Sequence, residues 1–213
     1  MPTAIVQDRG KTDLSSFHNG WYKPGRGLLV RALWFVVNAL LFQSRVLPFS
    51  GLKVRVLRLF GASVGVGVVL KPAINIKYPW RLRIGSHTWV GENVWLDNLD
   101  QITIGSHCCI SQGAFLLCGS HDYTSTSFGL ITQPIVLEDG AWVGAKAIVC
   151  PGVTMGSHSV LAAGSTATDS LAAYAIYQGN PATKKRERKL GDVSIGAAAV
   201  SNPTTPHSVG DYI

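Results

Sequence analysis

The chain has 213 residues, room for one main domain, and its 46% hydrophobic and 15% charged residues exclude an intrinsically disordered protein. The formal charge of +7 sits at one end: residues 1–60 hold nine Lys/Arg against Asp8 and Asp13, while residues 61–213 hold ten of each sign. Apart from a basic cluster at 184–189 the second part is acidic, which argues against a nucleic-acid surface.

The first 26 residues are polar and carry no secretory signal. Cys108, Cys109, Cys118 and Cys150 form no CxxC pair, so idle thiols in a cytosolic protein are expected. Leu28 to Phe42 is a nearly continuous apolar run. Its interruptions, Arg31 and Asn38, continue to Arg45 as a polar stripe with seven-residue spacing, which predicts a helix. The run is shorter than the ~20 residues needed to span a bilayer. Residues 52–60 (LKVRVLRLF) follow with Lys53, Arg55 and Arg58 among apolar positions. Two compatible roles follow for 27–60. One is a cap over the end of the repeat described next, and the other is an interfacial contact with anionic lipid at the inner membrane face.

From Val66 the chain takes up a spacing of six: Val66, Pro72, Tyr78, Ile84, Val90 and Leu96, with Leu70, Ile76, Leu82, Thr88 and Val94 four residues after each. After a slip of two residues, Ile104, Ile110 and Leu116 resume it, and the last hexad ends at His121. Residues 122–136 keep no register and are rich in Ser, Thr and Gly, as expected of a loop thrown out from a corner. Leu137, Val143, Val149, Met155, Leu161 and Ala167 then repeat without a break, with small or β-branched residues at 141, 147, 153, 159 and 165. A helix repeats every 3.6 residues and a strand every 2, so neither produces this spacing. A short strand and a corner every six residues do, and three such units close one coil of a three-sided parallel β-helix. The predicted organisation is a polar arm with apolar and basic helices over 1–61 and a β-helix over 62–172 with its loop at 122–136. A basic segment follows over 173–190 and a flexible tail over 191–213.

With YPW at 78–80, ITIGSHCCISQ at 102–112, GSHD at 119–122, AWVGAKAIVCPGVTMG at 141–156 and GNPA at 179–182, the chain resembles the hexapeptide-repeat acyltransferases. It is most similar to the sugar O-acetyltransferases of exopolysaccharide synthesis, the colanic acid type, over roughly residues 17–190. The resemblance implies a left-handed β-helix, a homotrimer, acetyl-CoA as co-substrate in the groove between prisms, no metal, and a histidine base that matches His121. A base suits the chemistry, since a sugar hydroxyl is a poor nucleophile until its proton is taken and imidazole titrates near neutral pH. The resemblance further implies a backbone donor near Ala145 and Trp142 beside the acetyl group. Ala163 and Thr168 would lie along the pantetheine arm, Lys184 and Arg186 at the nucleotide phosphates, and Asp97 on the acceptor. The implied acceptor is a sugar or glycan, lipid-linked, reached from the cytoplasm or the inner membrane face. Many relatives carry Ser at the position of Ala145 and Arg at that of Thr183.

Three other readings share these residues: N-acetyl transfer to a nucleotide-linked amino sugar, a metal-dependent hydratase, and a non-catalytic scaffold in a synthase complex. The hydratase needs three histidines, two of them close in sequence, whereas His87, His107, His121 and His158 lie 14 or more residues apart. His87, His107 and His158 occupy plain hexads and are expected to be solvated corner residues.

Overall fold

The structure, a computed structural model, describes residues 10–191. The expected tail at 191–213 and the first nine residues of the arm therefore lie outside the described residues, except Gly191.

Short parallel strands stack into three ladders. Face A carries Ser63–Val64, Leu82–Ile84, Ile102–Ile104, Ile135–Leu137 and Thr154–Met155. Face B carries Val69–Leu70, Trp89–Val90, Cys109–Ile110, Trp142–Val143 and Val160–Leu161. Face C carries Asn75–Ile76, Trp95–Asp97, Phe115–Leu117, Ile148–Val149 and Thr166–Ala167. The chain runs A, B, C and back to A, so five coils of a parallel β-helix are complete. Leu171, bridged to Met155, begins a sixth. Face B is then extended by Ala175–Gly179 and by Ala182–Glu187, which returns antiparallel across the turn containing Asn180 and Pro181.

The inward residues of each face form the core: Leu137, Val143, Val149, Met155 and Leu161 are all buried, as are the small residues Ala141, Ala147, Ser159 and Ser165 between them. Each large aliphatic buried here contributes about 2–3 kcal/mol. In the first coil the register differs from the one read in sequence. Val66 is 64% exposed, while Val64, Leu70 and Ile76 face inward. The cause is a second two-residue insertion. Pro79–Arg81 forms a 3-10 turn between faces C and A, matching the later slip between Leu96 and Ile104. Buried Asn98 joins the two irregular turns: its Oδ1 accepts from the Tyr78 N–H at 2.9 Å, and its Nδ2 donates to the carbonyls of Tyr78 and Arg81.

The segment at 122–136 is also more ordered than a loop. Gly119–His121 pairs antiparallel with Leu130–Thr132, and Ile135 is already back in the core of face A. What projects is a β-hairpin. It leaves from the same corner, between faces C and A, as both two-residue insertions.

Below the first coil, α1 (Leu28–Val37) runs into a π turn, Asn38–Phe42, and is followed by α2 (Ser50–Leu59). Trp34, Phe42 and Leu57 are buried against the first coil. Exposed strand-end groups are satisfied from the helices. Trp34 Nε1 donates to the Ile76 carbonyl at 2.8 Å, and the Ile76 N–H donates to Asn38 Oδ1. Lys53, expected at a lipid-facing surface, is instead buried, donating to the Lys71 carbonyl at 3.0 Å, and burial lowers its pKa. Arg58 donates to the carbonyls of Val64 and Gly65. Residues 27–60 are thus a cap, as one of the two readings required.

The glycine at the second position of a hexad is there because coils approach closely, rather than for its φ. A Cβ on Gly156 would stand 2.6 Å from the Ala173 nitrogen, a backbone atom that cannot yield. Gly164 is the opposite case, with φ +67° and open space beside it. Gly156→Ala is therefore expected to destabilise by about 2–3 kcal/mol, through overpacking against backbone, and Gly164→Ala by about 1 kcal/mol through backbone strain. Thermal denaturation of the two variants checks the order.

All four cysteines are free. Burial raises the thiols of Cys108 to about 11 and Cys118 to about 12, and raises Cys150 as well. Unfolding would release the first two protons near pH 9, so stability is full below that pH and falls as pH rises through 11. A thiol reagent at pH 8 should leave Cys108 and Cys118 unmodified in the native protein and label all four on denaturation.

Candidate active site at two corners of the prism

His121 ends the first strand of the hairpin. Its Nδ1 lies 2.9 Å from the Phe128 carbonyl oxygen. A carbonyl only accepts, so Nδ1 carries the proton, and in the neutral ring Nε2 is left as the acceptor. Phe128 reaches this position by adopting φ +52°, which is rare for a bulky residue and recurs at functional sites. Its ring also stacks on the imidazole at 4.4 Å, 10° from parallel. Phe17 from the N-terminal arm stands 5.8 Å from the same ring, tilted by 57°. That arm follows the corner between faces C and A. Tyr22 donates to the Leu99 carbonyl, Trp80 Nε1 donates to the Pro24 carbonyl, and Arg81 bonds Leu99 and Lys23. The Asp13 N–H reaches the hairpin at the Thr126 carbonyl.

Asp97 belongs to this corner too, paired in register with Leu117 four residues before His121. Lys77 Nζ lies 3.0 Å from Asp97 Oδ1 but off the line of a hydrogen bond, so this buried oxygen is ion-paired without a directed donor. Thr168 follows face C in the last strand pair and is at the same corner, its hydroxyl donating to Asp169.

The next corner, between faces B and C, carries a groove of about 400 Å³. Trp142, Ala145, Ala163 and Arg186 line it together with Arg188 and Ser111. Trp142 Nε1 donates to Ser111 Oγ at 2.9 Å, which ties the indole to the preceding coil of face B. The corner geometry supplies donors. The N–H groups of Gly144 and Lys146 bond to Leu161 and Gln112, and those of Ala162 and Gly164 bond to Tyr177 and Ala145. Among the described residues, Ala145 and Ala163 donate to no other backbone carbonyl at this wall. Coils repeat every ~4.8 Å, so these N–H groups form a ladder along the groove. Arg186 and Arg188 add positive charge, and Arg188 is anchored to the carbonyls of Gly140 and His158.

Lys184 does not join Arg186. A register shift at Lys185 pairs Arg186 with Ile176 but Lys184 with Tyr177, and adjacent residues of a strand face opposite sides. Lys184 instead pairs with Glu187 at 2.6 Å, which raises its pKa. Three of the expected site residues (Asp97, His121, Thr168) thus lie at one corner and four (Trp142, Ala145, Ala163, Arg186) at another. The two corners are separated by one face, up to ~20 Å of chain for six residues. Sequence reading did not identify Phe17, Phe128 or Ser111, which no spacing marks. Arg188 was visible only as part of the basic run. His87, His107 and His158 occupy corner positions with φ near +57°, and His87 stacks on His107. Among the described residues no three His, Cys, Asp or Glu side chains gather to hold a metal.

The carbonyl of Phe128 predicts the tautomer. Imidazole 15N resonances of the neutral protein should report His121 with its proton on Nδ1. A proton on Nε2, the form favoured by a free imidazole, would remove the acceptor assignment.

No family model matches the chain. WcaF of Escherichia coli, named for acetyl transfer in colanic acid biosynthesis, is 40% identical over 177 residues, 83% of this chain and 97% of that protein. A hexapeptide-repeat acetyltransferase of Vibrio cholerae superposes with a TM-score of 0.69 at 26% identity, covering 76% of this chain and 92% of that one. The same enzyme has been solved with acetyl-CoA bound, at a TM-score of 0.68 and 25% identity over 76% and 88% of the two chains. A coil architecture shared with the Vibrio enzyme and a sequence that matches WcaF nearly end to end place this chain among the hexapeptide-repeat acetyltransferases, alongside WcaF.

Proposed function

We propose that the chain transfers the acetyl group of acetyl-CoA to a sugar hydroxyl of an exopolysaccharide precursor of the colanic acid kind. The observation that carries this reading is the His121 Nδ1–H bond to the Phe128 carbonyl, which leaves Nε2 as a base at the loop end of the paired hairpin strands. Nε2 takes the proton of the acceptor hydroxyl as its oxygen attacks the thioester carbonyl. The carbonyl oxygen becomes an oxyanion, for which the Ala145 N–H is the donor. As the intermediate collapses, the C–S bond breaks and the imidazolium returns its proton to the departing thiolate. Ala163 and the wall of Trp142 take the pantetheine arm, and Arg186 and Arg188 take the nucleotide phosphates. Asp97 orients the acceptor. WcaF's name supports the choice of acceptor class. A lipid-linked form of the precursor belongs to the same reading.

A base acts only within hydrogen-bond reach of its substrate, ~3 Å. In one chain His121 and the groove sit at different corners, so the reading requires a homotrimer. There the corner bearing His121 of one copy meets the groove of the next, a head-to-tail contact that closes into a ring.

His121→Asn is expected to keep the fold and lose about 10²-fold in turnover, read as thiol release from acetyl-CoA with an acceptor panel. Near-normal rates would remove His121 from the chemistry. Light scattering should give three times the 22.8 kDa chain mass. Subunit mixing tests the shared site directly. His121→Ala and the groove-filling Ala163→Phe are each expected to be inactive alone. Reassembled together they should recover about a quarter of wild-type activity, because one site in four pairs an intact base with an intact groove. No recovery from folded mixed trimers would put each site within a single chain.

A further inference from the structure

The helices cap the solenoid with one face only. The opposite face of α1 and its π turn is apolar and open: Leu29 is 84% exposed, with Leu33, Val36 and Leu40 exposed in the same helical repeat. The face continues onto α2, since Leu33 and Leu59 line one groove of about 380 Å³ that Arg26 also borders. Val46 and Phe49, between the helices, are exposed as well. Scattered surface leucines are ordinary, but a contiguous apolar surface of this kind marks an interaction site.

Its charge setting is equally one-sided. Residues 14–91, which are the cap and the first coils, contain eleven Lys/Arg and no Asp or Glu, whereas residues 92–213 contain six against ten. Of the cations near the apolar face, Lys53 and Arg58 are used in capping, but Lys23, Arg26, Arg45 and Arg55 are exposed. An end-to-end contact with a second copy would bring two such cationic ends together, which is repulsive. A nucleic acid would leave the leucines in water. A bilayer with anionic headgroups satisfies both features. Leu28–Phe42 is 15 residues long, and no helix among the described residues is long and apolar enough to cross a membrane, so the segment lies in the interface plane.

We infer that the helical cap is a membrane-docking surface: the outer face of α1 enters the headgroup boundary of an anionic leaflet while Arg26, Arg45 and Arg55 contact lipid phosphates. This holds whatever the acceptor is, and its test needs no turnover. If the precursor is lipid-linked, docking by this end holds the prism against the surface where that acceptor lies.

The test is flotation of the full-length protein with vesicles of phosphatidylcholine containing phosphatidylglycerol, and with phosphatidylcholine alone. The native protein should bind the anionic vesicles, bind the neutral ones at least tenfold more weakly, and lose part of its binding between 0.1 and 0.5 M salt. Arg45→Gln with Arg55→Gln should weaken anionic binding by roughly tenfold or more, at about fivefold per cation near such a surface. Leu29→Glu with Leu40→Glu should abolish flotation while circular dichroism and thiol release with a soluble acceptor stay unchanged. No binding by the native protein at low salt, or variants that float as it does, would overturn the inference. So would a change in oligomer mass in the Leu29→Glu, Leu40→Glu variant, since the face would then be a contact between copies.

Discussion

Each coil of this protein must sit one hydrogen-bond spacing, ~4.8 Å, above the one before it, and most of the remaining structure follows from that spacing. Large inward side chains recur every six residues because they stack on their equivalents in the coil below. Where glycine follows them, a side chain would have no room between neighbouring backbones: a Cβ on Gly144 would stand 2.5 Å from the Ala163 nitrogen. The same close stacking leaves the N–H groups of Ala145 and Ala163 outside the backbone ladder at their corner. The rule that builds the core therefore also supplies a row of donors at the wall of a groove.

Departures from the six-residue period gather at one corner. The two short insertions before Ile84 and Ile104, and the hairpin before Leu137, all leave between faces C and A. A corner tolerates extra residues because the strands on either side keep their inward register, as Ile135–Leu137 does against Ile102–Ile104. Irregular backbone at that corner then needs polar partners. Asn98, Arg81, Tyr22 and the N-terminal arm supply them. His121 stands at the same corner, bonded to the Phe128 carbonyl and near the Phe17 ring.

The ends of the solenoid are treated unequally. The last coil is extended by an antiparallel pair on face B that carries Arg186 and Arg188 to the groove. The first coil is closed by α1 and α2, whose inner residues satisfy its strand ends and whose outer residues stay open and apolar. Covering a solenoid end needs only the inner set of contacts. The outer set has no part in holding the fold.

The period of six, the small residues between the large ones and the break after His121 were legible in the chain because each is a local pattern, written within one coil. They determined the β-helix, its face-by-face core from Ile84 onward, and a projecting segment beside His121, which the structure extends back to a hairpin that begins at Gly119 and includes His121. Between Val64 and Ile84 the sequence offered two apolar series two residues apart. Only pairing with the coil above decided that Val64, Leu70 and Ile76 point inward and Val66 does not. Lys184 and Arg186 were separated by a register shift that no composition announces. Phe17 meets His121 across 104 positions of chain, and the tautomer of that histidine depends on a carbonyl whose direction follows from one unusual φ. Local periodicity specifies which residues face the axis, whereas contacts between separate coils depend on where the corners bring them. The fold could therefore be read from the sequence, while the surroundings of His121, the division of the candidate site between two corners and the open face of the cap were decided by tertiary structure.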